Sequence, residues 1–234
     1  MKKALLLGLL TFVVTSCSSS IDGDGVATAQ KEYTVSSIKD LSVSCNCNVI
    51  LVPGNKTGVK VESHQNIIDN LVVDAKNNSL DITEKSNVDQ YSAYDIYVYV
   101  TRDLEKLKID KQTSLTTSGT LNVDELALEV NDQAKINQTF LITNNFDLKA
   151  DDQSNIMLEG TAGTMKVKAY GEAKLNLFKY EVNEADITTD DNALLDIIAR
   201  QTLYGSAKGN SIVNFMGDPN KDTKITDRAQ VLKK

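Results

Sequence analysis

Few side chains in this 234-residue chain could carry chemistry. It contains one histidine (His64), three cysteines and no tryptophan. A Ser-His-Asp triad, a Cys-His dyad or a histidine-based zinc site would each have to use His64. That residue ends an alternating run, Val61-Glu62-Ser63-His64, and is expected at the surface. Carboxylates are abundant, 32 Asp and Glu against 25 Lys and Arg, but they scatter over polar and turn positions. None pairs with another in the way glycoside hydrolysis requires. Arg102, Arg200 and Arg228 lie in separate parts of the chain and form no uronate-binding constellation. The reading is therefore non-enzymatic, with no catalytic residue, cofactor or metal assigned. Two tyrosines remain. Tyr97 and Tyr99 share one face of the alternating run Ile96 to Val100, where they could stack on a sugar. They are the candidate partner contact. The competing reading is a stripe that closes the core or the end of the fold.

Cys45 and Cys47 sit in Val43-Ser44-Cys45-Asn46-Cys47-Asn48-Val49, which alternates. In a strand, residues i and i+2 have Cα atoms ~6.5–7 Å apart, near the limit for a disulfide. Two small buried thiols in a core strand are expected, with a strained or intermolecular disulfide as the alternative. Cys17 has a different setting. Lys2 and Lys3 precede an apolar stretch, Ala4 to Val14, too short to span a bilayer. Val14-Thr15-Ser16-Cys17 then resembles a bacterial lipobox. Residues 1–16 read as a lipoprotein signal peptide and Cys17 as the lipid-attachment residue, so the membrane is a partner through an N-terminal lipid. Ser18 in place of Asp favours the outer membrane of a Gram-negative bacterium; the side it faces is left open. Residues 17–32, rich in Ser, Gly and Asp, read as a flexible tether. The net charge of -7 argues against a nucleic-acid partner.

The elements that position these residues follow from a repeat. Leu128 to Ile136 recurs as 107–115, 148–156, 167–175, 187–195, 205–213 and 223–231. One column reads Ile109, Val130, Ala150, Ala169, Thr189, Ala207 and Ile225, at intervals of 18 to 21 residues. A second, Leu115, Ile136, Ile156, Leu175, Leu195, Val213 and Val231, is aliphatic throughout. Between them lies a column of small residues: Thr113, Ala134, Ser154, Ala173, Ala193, Ser211 and Ala229. Apolar positions alternate, skip four and alternate again, the pattern of strand, tight corner, strand. Asp or Gly at the corner suits left-handed backbone angles. A single copy cannot bury its inward face, whereas stacked copies can. The fold class is all-β, a parallel β-helix-like solenoid of about 20 residues per coil. A β-sandwich, the rival, would not keep columns of one side-chain class in step. The domain reading is a single β-solenoid over 33–234, with a less regular first half, 33–105, and the seven-copy repeat in 106–234. Gln65 to Leu71 is expected to make a short helical turn. Asp151-Asp152 and Asp190-Asp191, with Asp132, share corner columns and could offer oxygens to Ca2+, but Tyr170-Gly171 interrupts them. A solvated acidic edge is the expected reading. Residues 32–45 are expected to cap one end, with Asp218 to Lys221 and Lys233-Lys234 at the other. Bare ends would allow self-association.

The chain resembles the putative auto-transporter adhesin, head GIN domain family, common in lipoproteins of Bacteroidetes. Leu41 to Gly54 matches its opening strand and Gly turn. Val59 to Thr83 matches a "VxVE" strand, a linker and "LxI". Tyr97 to Thr101, with Leu104 and Leu107, matches the strand leading into the repeats, and the likeness extends over about 34–231. The family's Gly-Ser-Gly corner falls here on Asp132-Gln133-Ala134, Gly171-Glu172-Ala173 and their equivalents. The resemblance implies a right-handed, pectin-lyase-like β-helix and an adhesin role in the cell envelope, with a protein or glycan ligand. It supplies no catalytic residues. A polysaccharide-binding or polysaccharide-active β-helix protein is the alternative.

Overall fold

The computed structural model describes residues 20–234. The proposed leader and Cys17 lie outside that range. The first half contains β1 (Ala29–Tyr33), β2 (Asp40–Ser44), β3 (Asn48–Pro53), β4 (Gly58–Ser63), α1 (Gln65–Asn70), β5 (Leu71–Lys76), β6 (Ser79–Glu84) and β7 (Tyr94–Val100). The repeats supply β8 (Lys106–Asp110), β9 (Ser114–Thr117), β10 (Leu121–Asn122), β11 (Glu125–Val130), β12 (Lys135–Ala150), β13 (Asn155–Ala169), β14 (Lys174–Thr189), β15 (Leu194–Ala207), β16 (Ile212–Met216), β17 (Asn220–Ile225) and β18 (Gln230–Lys233).

These strands wind into a β-solenoid with about 20 residues per turn. The columns found in the sequence are columns in space. Ile109 pairs with Val130, and Val130 with Ala150, then Ala169, Thr189, Ala207 and Ile225, all in parallel register. Leu115, Ile136, Ile156, Leu175, Leu195, Val213 and Val231 stack likewise. Alternation places these aliphatic side chains inward, nearly all of them buried, with polar neighbours outward. Phe146 and Tyr180 fill the interior edge to face, with ring centroids 5.8 Å apart.

The corner between the two columns has one backbone solution. Lys111, Asp132, Asp152, Gly171, Asp191, Gly209 and Asp227 all take left-handed angles, with φ between 56° and 63°. Asp therefore does the work of Gly here, because its short polar side chain tolerates this region. The next N–H bonds to the corner carbonyl of the preceding coil, as Gln153 to Asp132 (2.8 Å), Glu172 to Asp152 (2.7 Å) and Asn210 to Asp191 (2.7 Å). The small column is buried under this corner, and two of its hydroxyls turn back to the chain: Thr113 donates to the Asp110 carbonyl and Ser211 to that of Lys208, both at 2.7 Å, while that of Ser154 has no partner.

The first half departs from a simple winding. β2 lies between β6 and β8, and β3 between β7 and β9, all parallel. The coil that comes first in the chain is thus inserted between two that follow it. β4 runs antiparallel to β7, β1 antiparallel to β4, and β5 antiparallel to β6. These strands and α1, which confirms the short helical turn, cover the N-terminal end. The cap anticipated from residues 32–45 is corrected accordingly: β2 pairs on both edges inside the stack. Residues 20–32, assigned by composition to a tether, are docked as well. β1 pairs with β4, Ile21 bridges to Val88, and the Gly23 N–H bonds to the Gln90 carbonyl. Composition missed this because the segment engages mostly through its own backbone groups, which any sequence offers. At the other end, Lys233 forms an ion pair with Asp218.

Candidate binding face

β7 is pleated so that Tyr94, Ile96, Val98 and Val100 point inward and are fully buried. Tyr97 and Tyr99 therefore emerge together on the outer surface, half-buried. Their neighbours follow from register. Across β3, Tyr97 lies beside Ile50 and Tyr99 beside Val52. Across β4, Tyr97 lies opposite Lys60 and Tyr99 opposite Gly58, which has no side chain to cover the ring. The Lys60 ammonium sits 5.9 Å from the Tyr97 ring centre and is tied to Glu62 at 2.7 Å. The Lys56 ammonium sits 4.4 Å from the Tyr99 ring centre. Such placements are favoured by the ring quadrupole. Val52, Pro53, Gly54, Asn55, Lys56 and Tyr99 line a shallow cavity of about 380 Å³. Desolvation, then Glu62 and Asp95, push the Tyr97 phenol above its ordinary value, so it stays a neutral hydrogen-bonding group. The two tyrosines form an outward patch and not a core stripe; the inward aromatic of this strand is Tyr94.

Other residues singled out in the sequence are placed differently. His64 is buried, contrary to the surface expectation. Its Nε2 accepts the Ser92 N–H at 3.2 Å and lies 3.0 Å from the Ser92 hydroxyl. Its Nδ1 lies 3.2 Å from the Asp24 carbonyl, which assigns the ring proton to Nδ1. The imidazole is thus a clasp that joins the N-terminal segment to the 85–93 loop. A Cβ at Gly23 would overlap the ring, so the segment can lie here only with glycine at that position.

Cys45 and Cys47 are buried as expected, but the expectation of free thiols in a strand is corrected on both counts. They flank Asn46 in the corner between β2 and β3, their Cα atoms 5.4 Å apart, and are joined as a disulfide. The bend brings the pair closer than a strand would. The signal was present: Val43 and Val49 stand six positions apart, as do Val130 and Ile136.

Beside this corner a groove of about 750 Å³ runs along the coils, lined by Asn46, Glu84, Lys111, Gln133, Asp152 and Glu172 among others. Along the corner column, three carboxylates serve the backbone. Asp132 accepts the Lys111 N–H at 2.9 Å, Asp191 that of Gly171 at 3.2 Å and Asp227 that of Gly209 at 3.3 Å. Among the described residues no group of three His, Cys, Asp or Glu side chains is disposed to hold a metal ion. Glu84 is different, because its side chain is fully buried. One oxygen accepts the Asn46 N–H at 3.2 Å, while the other has no hydrogen bond and lies 3.9 Å from the Lys111 ammonium. Desolvation raises its carboxyl above the usual range, opposed by the Asn46 N–H and Lys111.

The sequence profile of the putative auto-transporter adhesin, head GIN domain family matches residues 38–219. This chain belongs to that family. A putative adhesin from Bacteroides fragilis is similar in structure (TM-score 0.82, 14% identity), the match covering 92% of this chain and 100% of that one. A putative lipid binding protein from Parabacteroides distasonis matches with TM-score 0.75 at 15% identity over the same shares. A putative adhesin from that organism matches with TM-score 0.69 at 16% identity, again over 92% and 100%. At these identities the likeness establishes the shared fold. A comparison with curated proteins found no match. Among the described residues no helix is long and apolar enough to cross a membrane.

Proposed function

We propose that this head GIN domain protein is a non-enzymatic, adhesin-like binding module, held at the outer membrane through a lipid on Cys17. Its partner contact is the Tyr97–Tyr99 face. The family supports an adhesin of the cell envelope or surface. The observation that carries the site is the joint outward projection of two tyrosines beside Ile50 and Val52, with lysines over both rings. Aromatic faces flanked by polar groups suit a sugar or a protein surface, since they give contact area at little entropic cost. The test is adhesion of cells that display the full chain to immobilised glycans and matrix proteins. Y97A/Y99A is expected to abolish retention with the display level unchanged. C17A is expected to move the chain from the membrane to the soluble fraction. Retention unaffected by Y97A/Y99A would exclude this face.

A further inference from the structure

We propose that the occupant of this face is an anionic glycan, a polysaccharide bearing carboxylate or sulfate groups, with Lys56 reading the charge and Tyr97 and Tyr99 carrying the sugar rings. This rests on the reading of the tyrosine face just given. The two lysines of the face are not equivalent. Lys60 is neutralised by Glu62 at 2.7 Å. Lys56, in the turn between β3 and β4, forms no ion pair and no side-chain hydrogen bond among the described residues, although the chain carries a net charge of -7. An ammonium held over a ring and left without a counter-ion is a prepared anion contact. It opens on the cavity bounded by Asn55, Pro53 and Tyr99, where an amide stands beside the charge. Gly58 leaves the Tyr99 ring uncovered on the β4 side.

The same face argues for a narrow polymer over a flat anionic bilayer. Next to the tyrosine row lies a row of Gln30, Glu62 and Asp95, and Glu32 lies opposite Lys60. A membrane surface would press these carboxylates against its own charge, whereas a single glycan chain can follow the tyrosines and pass them by. The tyrosines are half-buried, as are Ile50 and Val52, so no apolar side chain protrudes far enough to insert into lipid.

The experiment measures binding of the full-length, detergent-solubilised chain to chondroitin sulfate and polygalacturonate, with dextran as the uncharged polymer and phosphatidylglycerol vesicles as the lipid arm. Binding to the two anionic polymers is expected, falling as salt rises. K56Q is expected to weaken it about tenfold, the loss of one charge-assisted contact. K60Q is expected to weaken it less than about threefold, because Glu62 already holds that lysine. Dextran binding equal to that of the anionic polymers, or K56Q equal to wild type, would overturn the anion assignment and leave the tyrosine face standing if Y97A/Y99A still abolishes binding. Polymer binding untouched by Y97A/Y99A would overturn the site itself. Vesicle binding without polymer binding would overturn the glycan, as would binding to nothing tested.

Discussion

Two glycines at left-handed positions should respond very differently to the same substitution. Gly171 lies in the corner column at φ 63°, and Asp132, Asp152 and Asp191 hold equivalent positions at φ 59°, 56° and 58°. A Cβ at Gly171 would stand 3.0 Å from backbone atoms of Asp152, a fit the Asp-bearing coils already make. Gly171→Ala is therefore expected to cost only the left-handed penalty, about 1 kcal/mol. For a domain of this size that lowers Tm by ~2–4 °C. Gly205 has φ 122°, outside the region open to L-residues. Its Cβ would come within 2.9 Å of the Ile187 carbonyl carbon and amide nitrogen and overlap the carbonyl oxygen. That backbone is paired into the β14–β15 ladder and cannot yield without breaking it. Gly205→Ala is expected to cost about 4 kcal/mol or more, the range reserved for specific backbone or core damage. The corresponding drop in Tm is about 8–16 °C. Far-UV circular dichroism melts of the two variants and wild type give the comparison directly. Losses that agree within about 1 kcal/mol would refute the claim that the corner column shares one geometry with room for Cβ.

Glu84→Gln is expected to stabilise the protein at neutral pH but not in acid. The raised carboxyl means the folded state binds this proton more tightly than the unfolded state, so the stability it gives is complete below its ordinary value of 4.5 and is lost as pH rises through the folded value. Melts between pH 4 and pH 8 (~4–8, spanning the carboxylate range) should show the variant's advantage growing with pH, and a constant difference would exclude it. His64→Ala is expected to loosen residues 20–24 by removing the ring contacts to Asp24 and Ser92, about 2 kcal/mol of local stability. Amide exchange at Gly23 and Ser92 should accelerate about 30-fold, with the repeats unaffected. Tyr180→Phe removes a buried hydroxyl that has no partner and should raise Tm by ~2–4 °C, about 1 kcal/mol. A lower Tm would mean that the hydroxyl is satisfied.

The sequence by itself determined the solenoid, because each coil must solve the same burial problem with its own 20 or so residues. The aliphatic columns, the small column beneath them and the Asp or Gly at each corner are local necessities, so they recur and can be counted. Strand alternation alone puts Tyr97 and Tyr99 on the face opposite Ile96 and Val98, but which of the two faces is outward was decided by the stack around β7. The tertiary structure decided what depends on partners far along the chain. Nothing in β2 records that β6 and β8 will flank it, since the edges of every coil look alike to a parallel strand. His64 became a clasp only when Asp24 and Ser92, 40 and 28 residues away, converged on its ring. The ammonium over Tyr99 likewise depends on the turn that folds β4 back across β7. Periodicity reports the contacts a segment makes with copies of itself; the clasp, the inserted coil and the lysine-flanked face arise from single encounters that leave no repeating trace.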